Sequence, residues 1–445
     1  MTFGPDVLLE RLDALETAAN KPRRYLIALS GGLDSTVLAH ALAETRGQHD
    51  RPLLAIHVDH QLQAASSGWT DCCREFAGRF GIEFVAERVA VDTTGGSGVE
   101  AAAREARYAA LARHVGDGDW LLSAHHRNDQ AETLLLNLMR GSGPAGLAGI
   151  GAATRFAAGW LVRPLIDVSR ADLEAYAAAH RLEWLDDPSN ADPRFDRNYL
   201  RHEVLPALER RWPGAVERIA RSADLAGEAA TLLEELAAID LQGLGNRATR
   251  IDVEGLARLP EARQRNVLRH AIRRAGLPLP GAARLATVID SVLHAKADAQ
   301  PLVEWPGVEL RRYRGRLYLL PPLGEAEWPS QGRPLTVTPV SLGEGMGALQ
   351  LVPDAPRGLS AATIARGLCV RIRSGGERIK PAGQTHTKKL KKLLQDEGVV
   401  PWMRDRLPLV YAGDELVAVA DLWVAAGATS EPGTAVRWDG RPELY

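Results

Sequence analysis

The sequence predicts an α/β protein: a doubly wound parallel-sheet domain, then a mainly helical middle domain and a small mixed α/β C-terminal domain. Three observations predict it. Across residues 25–140, four short apolar runs alternate with helical stretches, the pattern of crossover helices on a parallel sheet. Residues 213–297 are rich in Ala, Leu and Arg and read as helical. A Pro/Gly-rich stretch at 324–334 then separates them from a segment of concentrated positive charge. The domain limits read as 1–212, 213–325 and 335–445.

In chain order, a lead-in helix precedes Tyr25. Residues 25–29, YLIAL, form a buried strand that breaks at Ser30-Gly31-Gly32, and residues 33–43 form a helix. Residues 52–58, PLLAIHV, form a second strand, followed by Asp59 and His60. A helix at 67–80 and a third strand at 83–89 follow. Residues 95–98, Gly-Gly-Ser-Gly, read as a flexible loop before an Ala- and Arg-rich helix at 100–114. A fourth strand covers 120–123 and a helix 125–140. Residues 140–151, RGSGPAGLAGIG, hold too many glycines for a regular element and read as a mobile loop. Residues 186–208 begin as a Pro/Asn/Asp-rich loop and end as a helix, and Trp212-Pro213-Gly214 closes the first domain. Two long helices precede Asp240, and residues 303–321 alternate like a hairpin around Arg314-Gly315. The C-terminal part contains a basic helix at 387–395 and a strand at 416–420.

The turn after the first strand carries the first chemical signal. Two successive glycines let backbone N–H groups converge without Cβ clashes. The helix that follows adds unpaired N–H groups and a positive dipole end. Ser30 and Ser35 add hydroxyls. Ser30, Gly31, Gly32, Leu33, Asp34 and Ser35 therefore suit a phosphate or pyrophosphate. Asp34 places a carboxylate where an anion belongs, which makes sense with a magnesium ion between the two. No lysine follows the second glycine, so this is not the common GxxxxGKS or GxxxxGKT loop.

Three further constellations stand at strand ends or in the basic segment. Asp129 and Glu132 share a helical face and suit an ammonium group or a metal. Arg104 and Arg107 share another, beside Tyr108, and suit phosphate. His57 and His60 are a weak zinc pair without a third ligand, and a place near a nucleotide fits them better. Residues 371–406 hold ten lysines or arginines and four carboxylates. Within them Lys388, Lys389, Lys391 and Lys392 crowd one helical turn, with Trp402 and Arg404 close behind. Such crowding repels unless an anion answers it, and a nucleic-acid backbone is such an anion.

Composition sets bounds on the function. With 445 residues, 45% hydrophobic and 25% charged, the chain is multidomain and globular. No apolar run approaches the ~18 residues of a membrane span, so no membrane partner is expected. The acidic, amphipathic N-terminus is not a signal peptide. Cys72, Cys73 and Cys369 form no disulfide framework and no CxxC pair, so a reducing, cytoplasmic setting is expected. A net charge of −2 argues against general attraction to nucleic acid, so any such contact is a local patch. Monomer and homodimer both remain open.

The SGGLDS turn resembles the PP-loop of the N-type ATP pyrophosphatases. GVEAAAREARY, HHRNDQAET, RGSGPAGLAGI, PSNADPRFDRNYLRHEVLP and SGGERIKPAGQTHTKKLKKLLQDEGVVPWMRDRLPLVY narrow the likeness. Along nearly its whole length the chain resembles the bacterial tRNA(Ile)-lysidine synthetases. That resemblance implies ATP and magnesium as cofactors and L-lysine and tRNA(Ile) as substrates. It implies adenylation of the wobble cytidine of a CAU anticodon, then attack by the lysine ε-amine with loss of AMP. Asp34 would hold magnesium, His57 would lie near the nucleotide, and Arg104 and Arg107 would meet phosphate or RNA. Asp129 and Glu132 would bind the ammonium and take its proton, with no choice between them. A synthetase acting on a small molecule would not need the basic C-terminal segment. A tRNA thiolase would want cysteines better placed than Cys72-Cys73. A non-catalytic RNA-binding protein would not need Asp34.

Overall fold

The computed structural model describes residues 2–61, 66–91, 99–187, 192–293, 295, 299–324, 328–329 and 332–445. The expected loop at 95–98 and parts of the stretches at 186–208 and 324–334 lie outside the described residues. The chain divides into two compact units, Met1–Leu233 and Glu234–Tyr445.

In the first unit, β1 (Arg24–Ala28), β2 (Leu53–Asp59), β3 (Glu83–Arg88) and β4 (Asp119–Leu122) are the four expected strands. The structure adds a hairpin, β5 (Ala153–Phe156) and β6 (Gly159–Val162), giving the sheet order β3-β2-β1-β4-β6-β5. All neighbours pair parallel except β5 with β6. Helices α1 (Pro5–Ala19), α2 (Leu33–Glu44), α3 (Ser66–Arg79), α4 (Val99–Ala112) and α5 (Arg127–Met139) precede or connect these strands. Alternation along β1 sends Tyr25 and Ile27 into one core and Leu26 into another, so apolar side chains cover both faces of the sheet. Strand order reverses between β1 and β4. The turns leaving these two strands therefore open one crevice at their carboxyl ends.

The glycine-rich stretch at 140–151 is not a mobile loop. Pro144–Leu147 forms helix α6, and Gln130 bonds both to the carbonyl of Ile150 (3.2 Å) and from its N–H (2.6 Å). Asn137 donates to the Gly146 carbonyl at 2.7 Å. Side chains from α5 satisfy this backbone, and composition alone does not reveal them. Beyond α7 (Arg170–Ala179), the chain forms α8 (Asp196–Tyr199), a π-helical turn (Leu200–Val204), α9 (Leu205–Arg211) and the long α10 (Ala215–Gly243).

The second unit holds two cores. One joins helices Val253–Arg258, Glu261–Arg274 and Ala282–Leu293 to a four-stranded sheet that includes the hairpin turning at Arg314-Gly315. The other lies beneath two five-stranded antiparallel sheets with short helices. The basic helix is shorter than expected. Lys388–Lys389 is a strand paired with Arg378–Ile379, and the helix covers Leu390–Glu397. The four lysines are therefore not crowded on one helical turn: two extend along a strand and two open a helix. All four are exposed.

Gly31 shows how tightly the β1–α2 turn is built. Its φ is +87°, and a Cβ there would come within 2.7 Å of Leu185 Cδ1 and 2.9 Å of Cys73 Sγ. Gly31→Ala should destabilise the protein by about 1–3 kcal/mol, through strain and overpacking together. Urea unfolding checks this, and an unchanged midpoint would contradict it.

Candidate active site

The turn residues pack into a cage of their own. Ser35 Oγ donates to the Gly32 carbonyl (3.1 Å), receives Ser30 N–H (3.2 Å) and lies 3.0 Å from Ser30 Oγ. The serines thus tie the turn together instead of standing as free donors. Gly32 caps α2 without any side-chain acceptor, so the first N–H groups of the helix keep their capacity for an anion.

A cavity of about 670 Å³ opens above the sheet, within the size range of cofactor sites. One wall carries Ser30, Gly32, Asp34 and Ser35 with His57 and His60; the others include Arg104, Arg107, Tyr108, Asp129, Phe195, Arg197 and Arg201. The structure therefore brings most of the expected first-domain site residues into one cleft. Burial lowers the proton affinity of His57, against the opposing pull of the Leu29 carbonyl, which its Nδ1 meets at 2.9 Å. His60 is pushed down to about 4 by burial and by Arg107, whose Nε donates to it at 3.2 Å. Both rings line the cleft. The Arg104 guanidinium lies over the Tyr108 ring, 5.1 Å from its centre.

Asp34 faces the cleft with its Oδ1 buried and unpartnered. His126 caps α5 and receives Asn128 N–H on Nδ1. That leaves its Nε2 directed at Asp34 and Asp129, 3.5 Å from each. Burial disfavours the imidazolium, but the two carboxylates outweigh it and raise the ring's proton affinity. A carboxylate oxygen without a donor, beside free helix N–H groups, fits a divalent cation bound with phosphates.

Asp129 and Glu132 do share a face, and two arginines converge on both of them. Arg197 donates to Glu132 Oε2 (2.7 Å) and Asp129 Oδ1 (2.9 Å). Arg201 donates to both Glu132 oxygens (2.7 and 3.0 Å) and to Asp129 Oδ1 (3.2 Å). Glu132 is fully buried and does not line the main cleft. Burial alone would raise Asp129, but His126, Arg197, His125 and a backbone N–H hold it at about 2. A carboxylate so stabilised is a poor base for an amine. Sequence reasoning missed Arg197 and Arg201, although their i,i+4 spacing in DRNYLR puts them on one helical face. It also missed His126, next to His125 in the same motif.

Arg404 has partners within its own unit. Its guanidinium donates to the Val399 carbonyl (2.8 Å) and the Tyr313 hydroxyl (2.6 Å) and lies over the Tyr313 ring. These contacts make it a structural tie within the second unit.

Removing one member of the buried charge network should be costly. Glu132→Ala leaves two guanidiniums without their main partner and should cost about 3–5 kcal/mol in urea unfolding. An unchanged stability would contradict the network's role. Asp129 binds its proton less tightly folded than unfolded. Its contribution is present above pH 3.8 and is lost as pH falls toward about 2. Asp129→Asn should flatten the stability-versus-pH curve in that window, and an unaltered curve would refute the assignment.

Comparison with known proteins agrees with this architecture. Residues 7–208 match the PP-loop domain, 251–318 the TilS substrate binding domain and 368–439 the TilS substrate C-terminal domain. A tRNA(Ile)-lysidine synthase of Alkalilimnicola ehrlichii is 43% identical over 97% of this chain and 96% of its own. One from Coxiella burnetii is 40% identical over 96% and 94%. One from Xanthomonas campestris is 42% identical over 93% and 95%. At this identity over nearly the whole length, with an intact ATP-binding turn, the chain belongs to the tRNA(Ile)-lysidine synthase family of PP-loop, ATP-using ligases.

Proposed function

We propose that this protein joins L-lysine to the wobble cytidine of tRNA(Ile) with a CAU anticodon, consuming ATP. The observation that carries the reading is Asp34, a carboxylate with a buried unpartnered oxygen in an uncapped, glycine-built anion turn. The cytosine carbonyl oxygen attacks the α-phosphorus of ATP, the bond to the β-phosphate breaks and pyrophosphate leaves. The lysine ε-amine then adds to the activated ring carbon, passes its proton to solvent, and AMP departs with the oxygen.

The residues divide this work. The turn N–H groups of α2 take the phosphates, and Asp34 would hold magnesium, which neutralises developing phosphate charge when bound. Arg104 and Arg107 line the cleft and balance phosphate or RNA charge. Asp129, the carboxylate of the pair that lines the cleft, attracts the ammonium, while Glu132 holds Arg197 and Arg201 in place. Residues 1–212 carry the chemistry, residues 213–325 form a middle domain, and residues 335–445 hold the tRNA. There Lys388, Lys389, Lys391 and Lys392 are exposed in a segment with an excess of positive charge. They contact phosphates, which position the RNA without reading its sequence.

Pyrophosphate release should require the tRNA, and AMP release should require the tRNA and lysine together; release of either product without the tRNA would overturn the reading. Asp34→Asn should abolish AMP release while the circular dichroism spectrum stays unchanged; wild-type turnover would remove Asp34 from the role. Replacing the four lysines by Ala should weaken tRNA binding and flatten the slope of log K against log salt. The change should be roughly 0.7–0.9 per lost phosphate contact. An unchanged slope would make the lysines a solvated surface.

A further inference from the structure

We infer that the phenyl ring of Phe195 is the platform on which the target cytosine stacks inside the cleft, an inference that rests on the function proposed above. Phe195 lines the cavity yet keeps 38% of its surface exposed, which is unfavourable for a phenyl ring unless something covers it. Among the described residues no ring or guanidinium stacks on it. Tyr108, another aromatic of the cleft, is taken: Arg104 lies over it and Phe156 meets its edge at 5.7 Å.

The backbone beneath Phe195 is held firmly. Asp192 Oδ1 accepts Arg194 N–H at 3.0 Å, and the Asp192 carbonyl accepts the Asn198 side-chain amide at 2.9 Å. The Phe195 carbonyl accepts Tyr199 N–H at 3.0 Å and its own N–H reaches the Asp192 carbonyl. A ring on a braced backbone loses little freedom when a base docks on it. Its neighbour two residues on is Arg197, which bonds Asp129. Ring and amine-attracting carboxylate are therefore coupled through one short segment.

The chemistry explains why a stack is needed. A wobble base must leave its neighbours to reach an enclosed phosphate site, and an unstacked base regains that loss on an aromatic face. Adenine has a different lining available, the apolar strand ends Leu29, Ile56 and Val58 on the phosphate-binding wall.

The test uses the full-length enzyme and tRNA carrying either cytidine or the fluorescent analogue pyrrolo-cytidine at the wobble position. Wild type and Phe195→Tyr should quench the analogue and turn over normally. Phe195→Ala should abolish the quench and raise KM for tRNA about 5- to 150-fold, the range for one lost base–aromatic stack. ATP affinity should not change. Phe195→Leu, which keeps apolar bulk without a π face, should behave like Ala. If Leu restores KM and quenching, or if Ala matches wild type, the stack is overturned. Weakened ATP binding in Phe195→Ala would assign the ring to adenine and overturn it too. If wild type itself transfers no lysine, the proposed function fails, an outcome distinct from all of these.

Discussion

Two buried carboxylates and two half-buried guanidiniums hold the first unit of this protein in shape. Asp129 and Glu132 lie in the first turn and a half of α5, almost out of water, and they would repel each other there. Arg197 and Arg201 reach back from a later segment and bridge both carboxylates. Desolvating such ions costs several kcal/mol each, so the arrangement persists only because every charge is answered by hydrogen bonds of good geometry. The network draws α8 and the π-helical turn onto α5. That contact makes a wall of the cleft, and Phe195, Arg197, Asn198 and Arg201 line it.

Facing that wall is a turn governed by backbone geometry. Gly31 adopts a left-handed conformation and packs against Cys73 and Leu185, while paired serines lock the loop from within. Burial pushes the Cys73 thiol up to about 12, so it acts as packing and not as a nucleophile. One wall is thus specified by sterics and the other by charge. The cleft between them sits where strand order reverses, the place at which a parallel sheet leaves a crevice.

Much of this was legible in the sequence, for physical reasons. Strands buried on both faces are near-continuous apolar runs, so β1, β2 and β4 were visible. The strand–glycine–helix turn was visible in SGGLDS, and the hairpin at Arg314-Gly315 followed from local turn preferences. Long-range side-chain bonds were not legible. Gln130 orders a glycine-rich stretch ten to twenty residues away. Arg197 and Arg201 neutralise carboxylates more than sixty residues earlier. Arg404, read as a nucleic-acid contact from local charge, also bonds Tyr313 and Val399. Local charge density shows that a cation needs an anion; it does not show whether the protein itself provides one.

Family membership supports lysidine formation on tRNA, and the reaction proposed above specifies the nucleotide. The most direct measurement is position-resolved mass spectrometry of tRNA(Ile) with a CAU anticodon after incubation with this protein, ATP and isotopically labelled lysine. The account predicts labelled lysine covalently attached at the wobble cytidine alone, with AMP and pyrophosphate formed in equal amounts. An unmodified wobble cytidine beside ATP consumption, or label at any other nucleotide, would contradict it.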